Sequence, residues 1–239
     1  MLNTFASRVS AGWRSWAGHI PSQCAVCHAW PAQRICNACS ARFAPPQPRC
    51  RTCALPLPGS VQQCGACLRQ PPPLDCCMAA VDYGYPWAHA IAQFKFQGDP
   101  GWASALAALL HRTPQATQAL AAADWVLPIP LSRQRLQERG FNQALLLARQ
   151  LAPDKSSAAL LLRLQHTRAQ SRLTRTQRLH NLDDAFAVEP LQLAHLQGKK
   201  IVLVDDVMTT GATLHTAALA LRQAGAQHIT AMVVARTAH

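Results

Sequence analysis

Residues 201–213, Ile-Val-Leu-Val-Asp-Asp-Val-Met-Thr-Thr-Gly-Ala-Thr, end an apolar run in two adjacent carboxylates and continue into a hydroxyl-rich turn without lysine. That order of side chains suits a sugar phosphate. Helical periodicity starts at Ala212, so Thr209 to Thr213 fall at a helix N-terminus, where unpaired backbone N–H groups and the positive dipole end attract an anion. Gly211 permits close backbone approach, and Thr209, Thr210 and Thr213 add hydroxyl donors. Asp205 and Asp206 would repel a phosphate, so they call for hydroxyls, a metal or both. Vicinal ribose hydroxyls meet that need, and Mg²⁺ carried by a pyrophosphate would offset the local negative charge. The string lacks the lysine of a Gly-x-x-x-x-Gly-Lys-Ser/Thr loop and the spacing of Gly-x-Gly-x-x-Gly, which argues against triphosphate and dinucleotide loops.

The same thirteen residues resemble the phosphoribosyl-pyrophosphate signature of type I phosphoribosyltransferases. The resemblance implies that Asp205 and Asp206 hold the ribose hydroxyls. It gives the 5′-phosphate to Thr209, Thr210, Gly211, Ala212 and Thr213.

Eight of the ten cysteines form four Cys-x-x-Cys knuckles, at Cys24/Cys27, Cys36/Cys39, Cys50/Cys53 and Cys64/Cys67. Two residues between thiolates let a tight turn aim both sulfurs at one ion, and two knuckles complete a tetrahedral Zn²⁺ site. Consecutive knuckles are the more local pairing, which assigns Cys24, Cys27, Cys36 and Cys39 to one zinc and Cys50, Cys53, Cys64 and Cys67 to another. Spacing also allows a cross-braced pairing of first with third and second with fourth. Both zincs would be structural, since four sulfurs leave no position for an activated water. Disulfides suit the cytosol less well than zinc does. Adjacent Cys76 and Cys77 fit no knuckle and read as packing thiols.

These residues must be carried by a scaffold. Ile201 to Val204 suits a strand buried on both faces, and alternating strand and helix patterns from Ala79 to Ala235 predict an α/β fold with a parallel sheet flanked by helices. Ligands of such sheets bind at the carboxyl ends of the strands, where Asp205, Asp206 and the Pro128-Ile129-Pro130 turn would lie. After that turn, Arg133, Arg135 and Arg139 precede a helix beginning near Phe141, and the segment resembles a pyrophosphate loop: guanidinium groups beside a helix start could hold a departing dianion. The stretch from Thr167 to Asn181 is basic and nearly without apolar anchors. It suits a loop closing over a reaction centre, with Gln170, Arg172, Arg178 and Asn181 as its candidates.

The distribution of cysteine and proline divides the 239 residues into an N-terminal amphipathic helix over 1–20, a small double zinc ribbon over 21–75 and the sheet domain over 79–239. The helix is basic, with an apolar stripe of Leu2, Phe5, Val9, Trp13, Trp16 and Ile20. It packs on its own domain or docks on a membrane surface or partner. A formal charge of +12 predicts attraction to polyanions, and ten Lys or Arg against two acids between Arg133 and Arg178 concentrate that charge. No run approaches the length of a transmembrane helix and no signal-peptide block is present, so the expected compartment is the cytoplasm.

Four zinc knuckles, the Lys95 segment, Pro-Ile-Pro-Leu with Arg-Gly-Phe-Asn-Gln, Arg-x-x-Asn at Arg178–Asn181 and the 201–213 signature together resemble the ComF/GntX family almost end to end. The resemblance implies a double zinc ribbon before a phosphoribosyltransferase-like domain. It also implies, for some members, a link to DNA uptake in natural competence, with single-stranded DNA as a suggested ligand and the uptake machinery as a partner. Two functions follow. One is transfer of phosphoribose from Mg²⁺-phosphoribosyl pyrophosphate, or use of a related sugar phosphate, with an acceptor and general base that the sequence does not name. The other is a non-catalytic protein that keeps the fold to bind single-stranded DNA or to dock a partner.

Overall fold

The computed structural model describes residues 22–164 and 185–238. The expected helix over 1–20 and the loop candidates Gln170, Arg172, Arg178 and Asn181 lie outside those residues. The chain forms two compact units, Met1–Phe43 and Ala44–His239.

In the first unit, Ser22 and Ala32 pair antiparallel through bonds of 2.9 and 2.7 Å, which closes the turn holding Cys24 and Cys27. Cys36 precedes and Cys39 sits in the first turn of α1 (Asn37–Phe43), so the second knuckle is set by a helix start.

Among the described residues the second unit has six strands: β1 (Cys76–Asp82), β2 (Trp125–Pro128), β3 (Leu161–Arg163), β4 (Phe186–Val188), β5 (Lys200–Met208) and β6 (His228–Arg236). Four of them form an all-parallel sheet in the order β1-β6-β5-β2, and β3 pairs antiparallel with β4. Ile201, Val202, Leu203 and Val204 are each at most 2% exposed, which two-sided burial of a central strand requires. Successive side chains leave opposite faces. Ile201, Leu203, Ile229, Ala231 and Val233 share a core with Leu214, Ala217 and Leu221 of helix α8 (Ala212–Gln223). Val202, Val204, Met232 and Val234 are buried on the other side.

α2 (Gly65–Arg69) precedes β1, and between the strands run α3 (Trp87–Phe96), α4 (Trp102–His111), α5 (Ala116–Ala122), α6 (Arg133–Arg139) and α7 (Gln143–Leu151). α4 packs on β1 and β6, and α7 on β2 and β5. The expected parallel sheet with flanking helices is therefore present. Cys50, Cys53, Cys64 and Cys67 belong to the same core cluster as the α8 face of the sheet.

Two local readings change. The first strand begins at Cys76 instead of Ala79, and Cys77 is 4% exposed with its Sγ 3.6 Å from Met208 Sδ. The arginine segment expected as a loop is the helix α6, which buries no residue. Ser132 caps it by accepting from Arg135 N–H at 3.3 Å, and Gly140 ends it in the left-handed region at φ +76°.

Candidate functional site

β2 ends with Pro128 opposite Val204, where Ile129 N–H donates to the Val204 carbonyl at 2.9 Å. β5 continues past this point, paired with β6, and carries Asp205 and Asp206 to the carboxyl edge of the sheet. Being consecutive in a strand, the two carboxylates leave on opposite faces. Asp206, 5% exposed, turns toward α3 and pairs with Lys95, Nζ to Oδ1 at 2.8 Å. Asp205 folds back so that its Oδ1 accepts from the Asp206 N–H at 2.8 Å.

Burial and then the neighbouring Asp206 charge push Asp205 up to about 8, against the pull of the Asp206 N–H and Lys95. Asp205 therefore holds its proton through much of the neutral range. A ligand presenting hydroxyls to it meets a donor below that value and a charged acceptor above it.

The strand then enters the Thr209–Thr213 turn. Thr209 and Thr210 are exposed, and Gly211 adopts φ +85° as the residue before α8. A Cβ at Gly211 would lie 2.4 Å from Met208 Cε and 2.8 Å from His215 Nε2, so glycine is required by both conformation and space. His215 stands beneath the turn with its Nε2 buried and, among the described residues, without a hydrogen-bond partner. Burial first, and then the positive charge of Arg236, lower its pKa.

Arg236, at the end of β6, is 4% exposed. Its guanidinium donates to the carbonyls of Cys53 (Nε, 2.9 Å), Met208 (Nη1, 3.2 Å), Thr237 (Nη1, 2.7 Å) and, more closely, Thr209.

The expected pyrophosphate arginines do not act alike. Arg133 and Arg135 lie exposed on α6, while Arg139 donates to Gln143 Oε1 at 3.1 Å and stands over the Phe96 ring at 5.3 Å. Asn142 caps α7, accepting from Leu145 N–H at 3.3 Å and donating to the Ile129 carbonyl at 3.0 Å. Arg163, at the end of β3, was not among the expected residues. It donates to the Pro130 carbonyl at 3.4 Å and interacts with both Asp205 and Arg135. Lys95, Arg163 and Arg236 come from segments far from the signature. The Lys95 segment enters the family resemblance, whereas Arg163 and Arg236 leave only a basic residue at a strand end.

Consecutive knuckles gather the cysteines. Cys24, Cys27, Cys36 and Cys39 bring their Sγ atoms within 4.8 Å of one another, and so do Cys50, Cys53, Cys64 and Cys67. Tetrahedral thiolate coordination at about 2.3 Å implies sulfur–sulfur edges of roughly 3.8 Å. Cys27–Cys36 at 3.6 Å and Cys53–Cys64 at 3.7 Å match that size. Backbone amides already face the sulfurs: Cys36 N–H donates to Cys24 at 3.4 Å and Cys64 N–H to Cys50 at 3.3 Å. Burial opposes ionisation of Cys24 and Cys50, yet such amide bonds outweigh it and bring each thiol down to about 6. Cys39 is pushed up to about 12 by burial and by its thiol neighbours. A set of four thiols that cannot all ionise alone is completed by a dication, so both groups could hold a metal ion.

Among the described residues, no helix is long and apolar enough to cross a membrane.

Residues 137–239 match the model of the phosphoribosyl transferase domain. The chain is 33% identical over 227 residues to DNA utilization protein YhgH of Escherichia coli O6:H1, covering 91% of this chain and 98% of that protein. Competence protein F of Haemophilus influenzae is 32% identical over 210 residues, covering 84% and 90% of the two chains. Competence protein ComFC of Bacillus subtilis is 40% identical over 136 residues, covering 56% of this chain and 53% of that one. Identities of 33% and 32% over most of both chains, with two relatives of these names, make this protein a member of the ComF family.

Proposed function

We propose that the protein binds Mg²⁺-phosphoribosyl pyrophosphate, or a related sugar phosphate, at the carboxyl edge of its parallel sheet. The observation that carries this reading is the run from Asp205 and Asp206 into a Gly211 turn at the start of α8, beneath which a buried guanidinium supplies positive charge. In this reading Asp205 and Asp206 engage the ribose hydroxyls, and Thr209, Thr210, Gly211, Ala212 and Thr213 hold the 5′-phosphate. Arg163, whose charge is felt by both Asp205 and Arg135, would receive the pyrophosphate, with Arg133, Arg135 and Arg139 on the neighbouring helix flanking it. Magnesium would supply charge neutralisation on the pyrophosphate oxygens. A nucleophile attacking the anomeric carbon would release pyrophosphate, with Lys95 orienting Asp206 through their ion pair as positive charge develops on the sugar ring.

The two four-cysteine groups hold structural zinc in this account, since their donor set and dimensions suit that ion. Relatives whose names refer to DNA utilization and competence supply the wider role, DNA uptake or processing.

A second reading keeps the fold for gripping single-stranded DNA. It is favoured by the exposed α6 arginines beside Phe96, which is 73% exposed with Arg139 across its ring, since bases stack on such aromatics while guanidinium groups track phosphates.

Equilibrium titration with phosphoribosyl pyrophosphate, ribose 5-phosphate and inorganic pyrophosphate, each with and without Mg²⁺, tests the first reading. The whole ligand should bind most tightly and depend on Mg²⁺. Equal weak binding of all three, with tight salt-sensitive binding of oligonucleotide, would transfer the account to DNA.

A further inference from the structure

We infer that Arg236 is the positioning residue of the phosphate turn, and that through it the metal site of Cys50, Cys53, Cys64 and Cys67 sets the shape of that turn. The inference deepens the sugar-phosphate reading and rests on it for its functional meaning.

Arg236 has no carboxylate partner among the described residues. Besides its chain neighbour Thr237, its acceptors are backbone carbonyls from two places far apart in sequence: Cys53, inside a metal knuckle, and Met208 and Thr209, at the entrance to the turn. Nε reaches the knuckle while Nη1 reaches the turn, so one rigid planar group fixes the distance between them. Each peptide unit is planar and trans, so a carbonyl pointing to the guanidinium sends the next residue's N–H the opposite way. Holding the Met208 and Thr209 carbonyls inward therefore turns the Thr209 and Thr210 amides outward, on the side where both residues are exposed. Outward amides are what an anion requires of a turn.

The buried positive charge acts in the same direction. It is felt by His215 in the first turn of α8, so it lies under the place where a phosphate would sit. The knuckle end is equally constrained. Cys53 and Cys64 are buried with their sulfurs 3.7 Å apart, and the Cys77 N–H of strand β1 donates to the Arg51 carbonyl at 2.7 Å. A cation on the four sulfurs holds the Cys53 carbonyl where Arg236 needs it. Loss of that cation frees the carbonyl, and the guanidinium loses one of its anchors.

The full chain with both metal sites loaded and no sugar ligand is compared with Arg236→Lys by peptide-resolved amide hydrogen exchange. Lysine keeps the charge, but as a point donor it cannot span knuckle and turn together. Exchange of the hydrogen-bonded amides at the two ends, Ala212 and Thr237 at the turn and Ala54 at the knuckle, should rise about tenfold, the scale of one lost hydrogen bond to a charged group, while amides 201–204 of the sheet stay at native rates. Turn exchange that stays native, or a rise spread equally over the sheet, overturns the inference.

Because the variant could fail to fold, the native protein is also treated with a graded zinc chelator while cysteine alkylation is followed by peptide mass. Turn exchange should climb in step with alkylation of Cys53 and not with that of Cys27. A turn that keeps native exchange after Cys53 has become reactive refutes the coupling. Phosphoribosyl pyrophosphate is then titrated into native protein: failure to bind removes the sugar-phosphate reading, and the exchange results alone judge Arg236.

Discussion

Lys95 and Asp206 form a 2.8 Å ion pair between helix α3 and the end of β5, with 19% and 7% of their side chains exposed. Both groups are largely withdrawn from water, so each depends on the other for its counter-charge, and the pair ties helix α3 to the strand end that carries the signature acids. Substituting Lys95→Met should destabilise the chain by about 3 kcal/mol, because it strands a buried charge. The double variant Lys95→Met/Asp206→Asn should recover most of that loss in urea unfolding. Equal stability of native protein and Lys95→Met would show that the pair is incidental.

Asp205 makes the unliganded protein sensitive to pH. Its folded-state value of about 8 lies above its ordinary value of 3.8, so the folded state holds the proton more tightly than the unfolded chain. Its contribution to stability is complete below about pH 4 and declines as pH rises through 8. Affinity for a Mg²⁺-bound ligand should move the other way and increase across the same range, since deprotonation supplies the charged acceptor. Asp205→Asn should flatten this group's part of both profiles, measured by thermal unfolding and by calorimetry between pH 6 and 9.

Gly211→Ala places a methyl group 2.4 Å from Met208 Cε at φ +85°. Strain of that kind costs about 1–3 kcal/mol, and the turn would relax by shifting away from its anion-binding shape. The melting temperature should fall modestly while sugar-phosphate binding falls below detection. Gly198→Ala, also in the left-handed region at φ +70° but in open space before the start of β5, serves as the control: it should lower the melting temperature to a similar extent and retain binding.

The metal groups should lose their ions in order. Cys27 is exposed, whereas all four cysteines of the second group are buried. Metal analysis should give two zinc ions per chain, with the first released by chelator well before the second. Removal of the second should reduce the cooperativity of unfolding in the sheet unit, because those cysteines lie in its core. A single ion per chain, or simultaneous release, would contradict this assignment.

The strand carrying the site was legible because two-sided burial selects an unbroken run of β-branched and other apolar residues such as Ile201–Val204. Helix α4 was legible for the related reason that Trp102, Leu106, Leu109 and Leu110 recur at helical spacing. α6 was not, since it buries nothing and has no apolar stripe; its Ser132 cap and Gly140 stop were the signals available. α5 was missed as well, its seven residues rich in alanine with only Ala116 and Leu120 buried. The beginning of β1 was set too late because Cys76 and Cys77 read as thiols instead of small strand-forming apolar residues.

At the site, the acids and the turn are contiguous and could be read as one motif. Lys95, Arg163 and Arg236 reach them only through tertiary folding, and no local pattern marks a guanidinium whose partners are carbonyls distant in sequence.

The central claim is that the carboxyl edge of β5 receives a magnesium-bound sugar pyrophosphate. Calorimetric titration of two-zinc protein with phosphoribosyl pyrophosphate and Mg²⁺, beside the Asp205→Asn/Asp206→Asn double variant checked for native circular dichroism and zinc content, tests it most directly. The account predicts binding by the native protein that the folded variant loses. No binding by the native protein, or equal binding by the folded variant, would contradict it.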